Sequence, residues 1–396
     1  MGARRPRPQP LTGVRPGSDR GQTGVRPLFL SAAVGIVLLT LLLSGRISNK
    51  MRDFEVYWTA GARAVVAEPL YRSEDGHFQF KYLPAFAIAA APLSTLPLPL
   101  AKATWLAVSI ALLITLLTLS LRLLPERRRS TWFLVVVMLV AMGKFFGHEL
   151  VLGQVNLLLA VLVVSGILAM RRERDGLAAA LFVAAVVVKP YAVPFLPWLA
   201  VVRGWRAAAS AALGMACALG APIVLYGVDG TIALHRAWWT TVTASTAPNL
   251  TNPDNVSVAA LAAKWLGEGA SLPAAAISGA LVVVACVVIL RGRDVNGREA
   301  LEGALLLTLI PLLSPQGWDY VFLLSTPAIA IIANYDDRLP PALRIVTWGA
   351  IATIGLSIYD LLGRQLYSRF MSLSIITLCF FIVIAALATL RLRRVA

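Results

Sequence analysis

Two carboxylates stand two residues apart in the stretch Arg52-Asp53-Phe54-Glu55-Val56-Tyr57-Trp58. They open a polar interruption in an otherwise oily chain, which runs to Lys81-Tyr82-Leu83-Pro84 and also carries Glu68, Glu74, Asp75 and His77. An acid held at a membrane boundary has two ordinary uses. It is a solvated loop residue paired with Lys50 or Arg52, or it is a general base in a partly desolvated cleft, where burial lifts a carboxyl pKa toward neutrality. Asp53 is the first candidate for the base and Glu55 the second. In extended chain the two would share a face; in a helix they would not.

A base needs a counterpart, and Lys189 is the clearest. It is flanked by Val186–Val188 and Ala192–Val193 and followed by Pro190. A lysine at the centre of a membrane helix costs about 2.5–3.5 kcal/mol, so it needs an anionic partner or water. A phosphate at the end of a broken helix would serve, and so would a buried ion pair. Lys81 sits just before an apolar run and is a second candidate, or a lysine that snorkels to the interface. A further polar group comprises Lys144, His148, Glu149, Gln154 and Asn156, whose amides either cap a helix or bond a neighbour. The segment Ser314-Pro315-Gln316-Gly317-Trp318-Asp319-Tyr320 reads as a Pro/Gly turn. No P-loop, Gly-rich dinucleotide motif or His/Cys metal cluster is present, so no cofactor or metal is expected. With no soluble nucleotide-binding domain, the energy for any transfer must arrive in a membrane-borne activated donor.

The elements that must position these residues are membrane helices. Of 396 residues, 58% are hydrophobic and 14% charged, with a mean hydropathy of +0.75. Apolar runs recur near the ~20 residues that cross the hydrocarbon core as helix. The short alternating segments of a β-barrel are missing. The expected fold is therefore an all-α polytopic bundle of about 10–12 transmembrane helices, with an outward-facing cavity and broken or interfacial helices. The spans are read near 28–44, 100–122, 131–147, 152–170, 177–189, 190–202, 207–226, 270–290, 300–313, 316–333, 343–361 and 370–390, with 83–98 a partial or interfacial helix. Residues 1–27, rich in Arg, Pro and Gly, are expected to be a disordered basic tail, and 28–394 a single membrane domain.

The net charge of +16 clusters in short loops, as a basic cytoplasmic rim facing anionic lipid requires, so nucleic acid is not an expected partner. The positive-inside rule puts both termini in the cytoplasm of a multi-pass cell-membrane protein. Left on the outer side are 45–82, read as the first external catalytic loop, the turn at Gly147–Asn156, the Lys189-Pro190 break, the long loop 227–269, the turn at Ser314–Asp319 and a turn near Gly363–Arg369. Several breaks on one side suggest a shared cavity. Cys217, Cys286 and Cys379 lie inside apolar runs and read as core residues, with no disulfide framework.

In order along the chain, several stretches resemble glycosyltransferase family 87, integral membrane enzymes of the GT-C class. They are Asp53-Phe54-x-Val56-Tyr57-x-x-Ala60 with Pro69-Leu70-Tyr71, Phe80-x-Tyr82-x-Pro84 with Ala91-Pro92-Leu93-x-x-Leu96-Pro97, Gly153-Gln154-x-Asn156, Lys189-Pro190, Asn255-x-Ser257 and Leu313-Ser314-Pro315-x-x-Trp318. The resemblance implies a polyprenyl-phosphate sugar donor, commonly mannose, and a lipid-linked or glycan acceptor. It further implies transfer on the outer face with inversion, with Asp53 as base. Family members often carry histidine after the last tryptophan; Asp319 stands there instead. On this reading Lys189, Lys81 and Arg364 are candidates for the donor phosphate. Tyr57, His77, Tyr82, His148, Gln154, Asn156, Asn255, Trp318 and Asp319 are candidates for substrate contact. Arabinofuranosyl transfer is a variant within the family, and a lipid transporter or flippase is the rival from another class.

Overall fold

A computed structural model describes Thr40, Leu42, Gly45 and Ile47 and then residues 50–291 and 297–393. The expected basic tail and nearly all of the first expected span lie outside these residues. The described residues fold as helices: α1 (Arg52–Val65), α2 (Pro84–Ser94), α3 (Leu98–Leu123), α4 (Thr131–Leu152), α5 (Asn156–Arg171), α6 (Asp175–Val188), α7 (Phe195–Arg203), α8 (Trp205–Gly220), α9 (Ile223–Ala244), α10 (Val258–Leu266), α11 (Ser271–Leu290), α12 (Arg298–Leu313), α13 (Thr326–Asn334), α14 (Pro341–Leu356), α15 (Tyr359–Ser372) and α16 (Ile375–Leu392). Short 3-10 turns occur between them, at Ser73–Phe78, Pro190–Ala192 and Asp319–Ser325 among other places.

Among the described residues, four stretches are long and apolar enough to cross a membrane: Leu98–Leu123, Thr131–Leu152, Val258–Leu290 and Ile375–Leu392. Two further pairs qualify if each bent pair counts as one span. Trp205–Gly220 turns by 90° into Ile223–Asn249, and Pro341–Leu356 turns by 105° into Tyr359–Ser372. The remaining apolar runs form shorter helices, Pro84–Ser94, Asn156–Arg171, Asp175–Val188 and Asp319–Asn334. The last of these is buried along its whole length and forms the middle of the bundle. Among the described residues the protein is thus an all-helical membrane protein, in which shorter helices pack between helices of membrane-spanning length.

Three details differ from the expected layout, each for a local reason. Residues 52–65 are helix rather than loop. Phe54, Tyr57, Ala60, Gly61 and Ala64 recur at helical spacing and form the buried face, and Asp53 and Glu55 sit in the first turn, where the helix dipole favours acids. A Cβ on Gly61 would stand 2.9 Å from the Ala90 backbone, so α1 and α2 touch through small residues. The long loop 227–269 is mostly helical, with α9 kinked at Gly227 (φ +68°) and α10 following. The region near Gly363–Arg369 is not a turn but part of α15, kinked at Gly363 (φ +68°).

The break at Lys189-Pro190 forms as expected. A residue before proline is pushed out of the helical region, and Lys189 is extended at φ −146°, ψ 120°, ending α6 at Val188.

Candidate active site

The site begins with the end of α4. Gly153 adopts a left-handed φ of +69° and closes the helix through its N–H to the Glu149 carbonyl. Its missing side chain matters for packing as well, because a Cβ there would lie 2.8 Å from the Phe54 Cβ. Trp105 fixes the same residue by donating to the Gly153 carbonyl at 3.0 Å. This close approach of α4 to α1 delivers Gln154 to Asp53.

Gln154 is the hub of the site. Its Nε2 donates to Asp53 Oδ2 at 2.7 Å and to the Tyr320 hydroxyl at 3.3 Å. Its Oε1 accepts from Tyr57 at 3.0 Å and from Lys189 Nζ at 3.3 Å. Tyr57 and Tyr82 share a hydrogen bond of 2.7 Å, and Lys189 Nζ stands 5.8 Å from the Tyr82 ring centre. Tyr82 is held from behind by Tyr71, which donates to its carbonyl at 2.7 Å, and Trp238 donates to the Lys81 carbonyl at 3.1 Å.

These groups open onto one cavity of about 430 Å³. Asp53, Tyr57, His77, Lys81, Tyr82, Gln154, Lys189 and Trp318 line it, together with Tyr191, Trp238, Asp254, Gln316 and Tyr320. Every expected outer-side segment except the one near Gly363–Arg369 contributes to the lining. Burial raises the Asp53 pKa above the usual carboxylate value, against the opposing pull of the Gln154 hydrogen bond and of Lys189, His77 and Lys81. Burial lowers the Lys81 pKa, and Asp53 opposes that shift.

Other expected site residues lie elsewhere. Glu55, about 200° around α1 from Asp53, receives Lys102 at 2.7 Å and Arg52 at 3.4 Å and faces a neighbouring cleft of about 170 Å³. Its geometry is that of an ion-pair partner, not of a second base beside Asp53. Asn156 is fully buried behind Lys189. Asn255 is fully buried and donates to the Pro315 carbonyl at 2.9 Å, and Val256 N donates to the Gly317 carbonyl at 2.7 Å, tying the segment before α10 to the turn after α12. Gly317 is required there, since a Cβ would stand 2.0 Å from the Pro311 carbonyl oxygen. His148 faces Asp319 at 3.5 Å, outside the cavity lining. Arg364 is exposed on α15 and does not reach the cavity.

Sequence reasoning passed over Tyr191, Trp238 and Tyr320 as site residues. Tyr320 stands two residues after Trp318, and a 3-10 turn beginning at Asp319 swings it inward. Trp238 stands on α9, within the segment read from the sequence as the long loop 227–269. Chemically, the arrangement offers a carboxylate whose burial favours taking up a proton, two lysines able to hold an anion, and aromatic walls.

The description "glycosyltransferase family 87" belongs to the family profile that matches residues 80–315, over half of the chain. No curated protein matches the chain. The matched segment includes Lys81, Gln154 and Lys189 and starts after Asp53. With its apolar spanning helices, this membrane protein belongs to glycosyltransferase family 87 and is a glycosyltransferase.

Proposed function

We propose that the protein transfers a hexosyl residue, mannose by its family resemblance, from a polyprenyl-phosphate donor to a hydroxyl of a lipid-linked or glycan acceptor. The site faces the outer side of the cell membrane, and transfer inverts the anomeric carbon. The observation that carries this reading is that Asp53, Lys81 and Lys189 line one cavity, with Gln154 joining Asp53 to Lys189.

The chemistry follows from those groups. The acceptor oxygen attacks the anomeric carbon as the bond from that carbon to the phosphate oxygen breaks. Asp53 takes the acceptor proton, which is general-base catalysis by a carboxylate whose pKa burial has raised. Gln154 holds one of its oxygens and leaves the other for the hydroxyl. The phosphate departs with its lipid as an anion and needs cationic stabilisation more than a proton; Lys189 and Lys81 supply it. Attack from the face opposite the departing phosphate inverts the centre. Tyr82 and Trp318 offer faces for the sugar.

The testing experiment supplies synthetic polyprenyl-phosphate mannose to the purified protein with extracted membrane lipids as acceptors and follows radiolabelled sugar. Transfer into a new lipid or glycan, with release of polyprenyl phosphate, supports the reading. Movement of the intact donor across a vesicle membrane without transfer contradicts it and favours a flippase.

A further inference from the structure

The Lys189 ammonium is held by two side-chain oxygens, Asn156 Oδ1 at 2.7 Å and Gln154 Oε1 at 3.3 Å. Gln154 leads to Asp53 at the cavity. Asn156 leads the other way, into the protein: its Nδ2 donates to Glu149 Oε2 at 2.7 Å, and Glu149 Oε1 accepts from Leu157 N at 2.9 Å. Glu149 and Asn156 are both 0% exposed, and neither lines the cavity. The five side chains form a row: carboxylate, amide, ammonium, amide, carboxylate.

Such a row fixes its own direction. An amide turns its N–H toward a carboxylate and its C=O toward an ammonium, so each flanking charge sets the amide beside it. Glu149 thereby makes Asn156 present oxygen to Lys189. Its carboxylate also offsets the buried Lys189 cation, which a protein tolerates only with a partner. Two of the three ammonium N–H groups meet Asn156 and Gln154, which leaves the third for a ligand in the cavity.

We propose that Glu149 is a positioning residue for the cavity cation: acting through Asn156, it holds the Lys189 ammonium with one N–H turned toward the phosphate oxygen of a lipid-linked ligand. The inference rests on the reading of the cavity as a lipid-phosphate site and adds the residue that sets the cation in place. The competing role is that of a cap on Asn156–Arg171, through the bond from Leu157 N and the favourable helix dipole.

Glu149→Gln separates the two roles. A glutamine oxygen still accepts from Leu157 N, so the cap survives. Its NH2 group then faces Asn156 Nδ2, and Asn156 must turn its oxygen away from Lys189. The cation loses its nearest acceptor and its buried counter-charge together.

The experiment measures binding of undecaprenyl phosphate to the purified full-length protein in detergent, read by fluorescence of Trp238 and Trp318 in the cavity wall. The variants are Glu149→Gln, Glu149→Asp, Lys189→Met and the double variant Glu149→Gln/Lys189→Met. We expect each of Glu149→Gln and Lys189→Met to weaken binding about tenfold, or about 1.4 kcal/mol. The double variant should bind no worse than Lys189→Met alone, because a residue that acts through Lys189 has nothing left to position. Glu149→Asp should recover part of the loss. Wild-type affinity in Glu149→Gln, or losses that multiply in the double variant, would reduce Glu149 to a cap and overturn the proposal. Where Glu149→Gln does not fold, Glu149→Asp carries the same cycle: it must weaken binding in the wild-type background and not beside Lys189→Met. Failure of the wild-type protein itself to bind undecaprenyl phosphate is a different result, and overturns the lipid-phosphate reading and this inference together.

Discussion

Gln154 Nε2 donates to Asp53 Oδ2 at 2.7 Å, across 101 residues of sequence. The orientation of this amide is not free. Its other end accepts from the Lys189 ammonium and the Tyr57 hydroxyl, so turning it over would set oxygen against carboxylate and NH2 against ammonium. Asp53 and Lys189 are thereby locked in one relation within a network that costs more to disturb than any single bond.

Gln154→Glu tests that lock. A carboxylate at this position would face Asp53 with like charge, remove the donor that now lowers the Asp53 pKa, and leave Asp53 harder to ionise. We expect kcat to fall by at least about tenfold, in the lower part of the range set by a mispositioned catalytic group, while Lys189 keeps an oxygen partner and donor binding changes less. Steady-state kinetics with the donor varied checks the split.

The pH profile should carry the same signature. The proposed role as base requires Asp53 to be ionised, so activity should rise with pH through its pKa. Burial raises that pKa, so the acid limb of kcat/KM should lie above the ordinary aspartate value of about 3.9. The stability sign runs the other way. A carboxyl whose folded pKa exceeds its unfolded one binds its proton more tightly when folded, so stability is lost as pH rises through the folded value. Asp53→Asn should therefore melt no lower than wild type at neutral pH, and thermal melts on either side of the limb should show its relative advantage growing as pH rises.

Gly153→Ala should damage the site from outside it. The left-handed φ of +69° disfavours any Cβ, and the new atom would press on Phe54 at 2.8 Å. Strain of this kind costs about 1–3 kcal/mol. We expect a lower melting temperature together with reduced kcat, because the same shift moves Gln154 from Asp53. A matched change at Gly147, where a Cβ meets nothing within 4 Å, should leave the melting temperature nearly unchanged.

Much of this was legible in the sequence for stated physical reasons. Apolar runs of membrane length announce helices, and Pro190 forces the break that brings Lys189 into play. The clustering of polar breaks pointed to a shared cavity, and the lining residues come from all of those segments except the one near Gly363–Arg369. What stayed hidden were helices with polar first turns or glycine kinks. Asp53 and Glu55 look like loop acids until the 3.6-residue spacing of Phe54, Tyr57, Gly61 and Ala64 is weighed. Gly227 and Gly363 look like turns because a positive φ bends a helix without ending its neighbours. The partnership of Glu149 with Lys189 through Asn156 was hidden for another reason: Lys189 and Asn156 are 33 positions apart, and no periodicity within one chain records a contact between separate helices.

In the proposed reaction Asp53 acts as the base and leaves donor binding to the lysines. The most direct measurement compares wild type with Asp53→Asn for undecaprenyl-phosphate affinity and for sugar transfer from polyprenyl-phosphate mannose in one preparation. We predict affinity within about threefold of wild type and transfer lowered by about 10²–10⁴, the usual share of a general base. Transfer in Asp53→Asn within a few-fold of wild type would rule out Asp53 as the base.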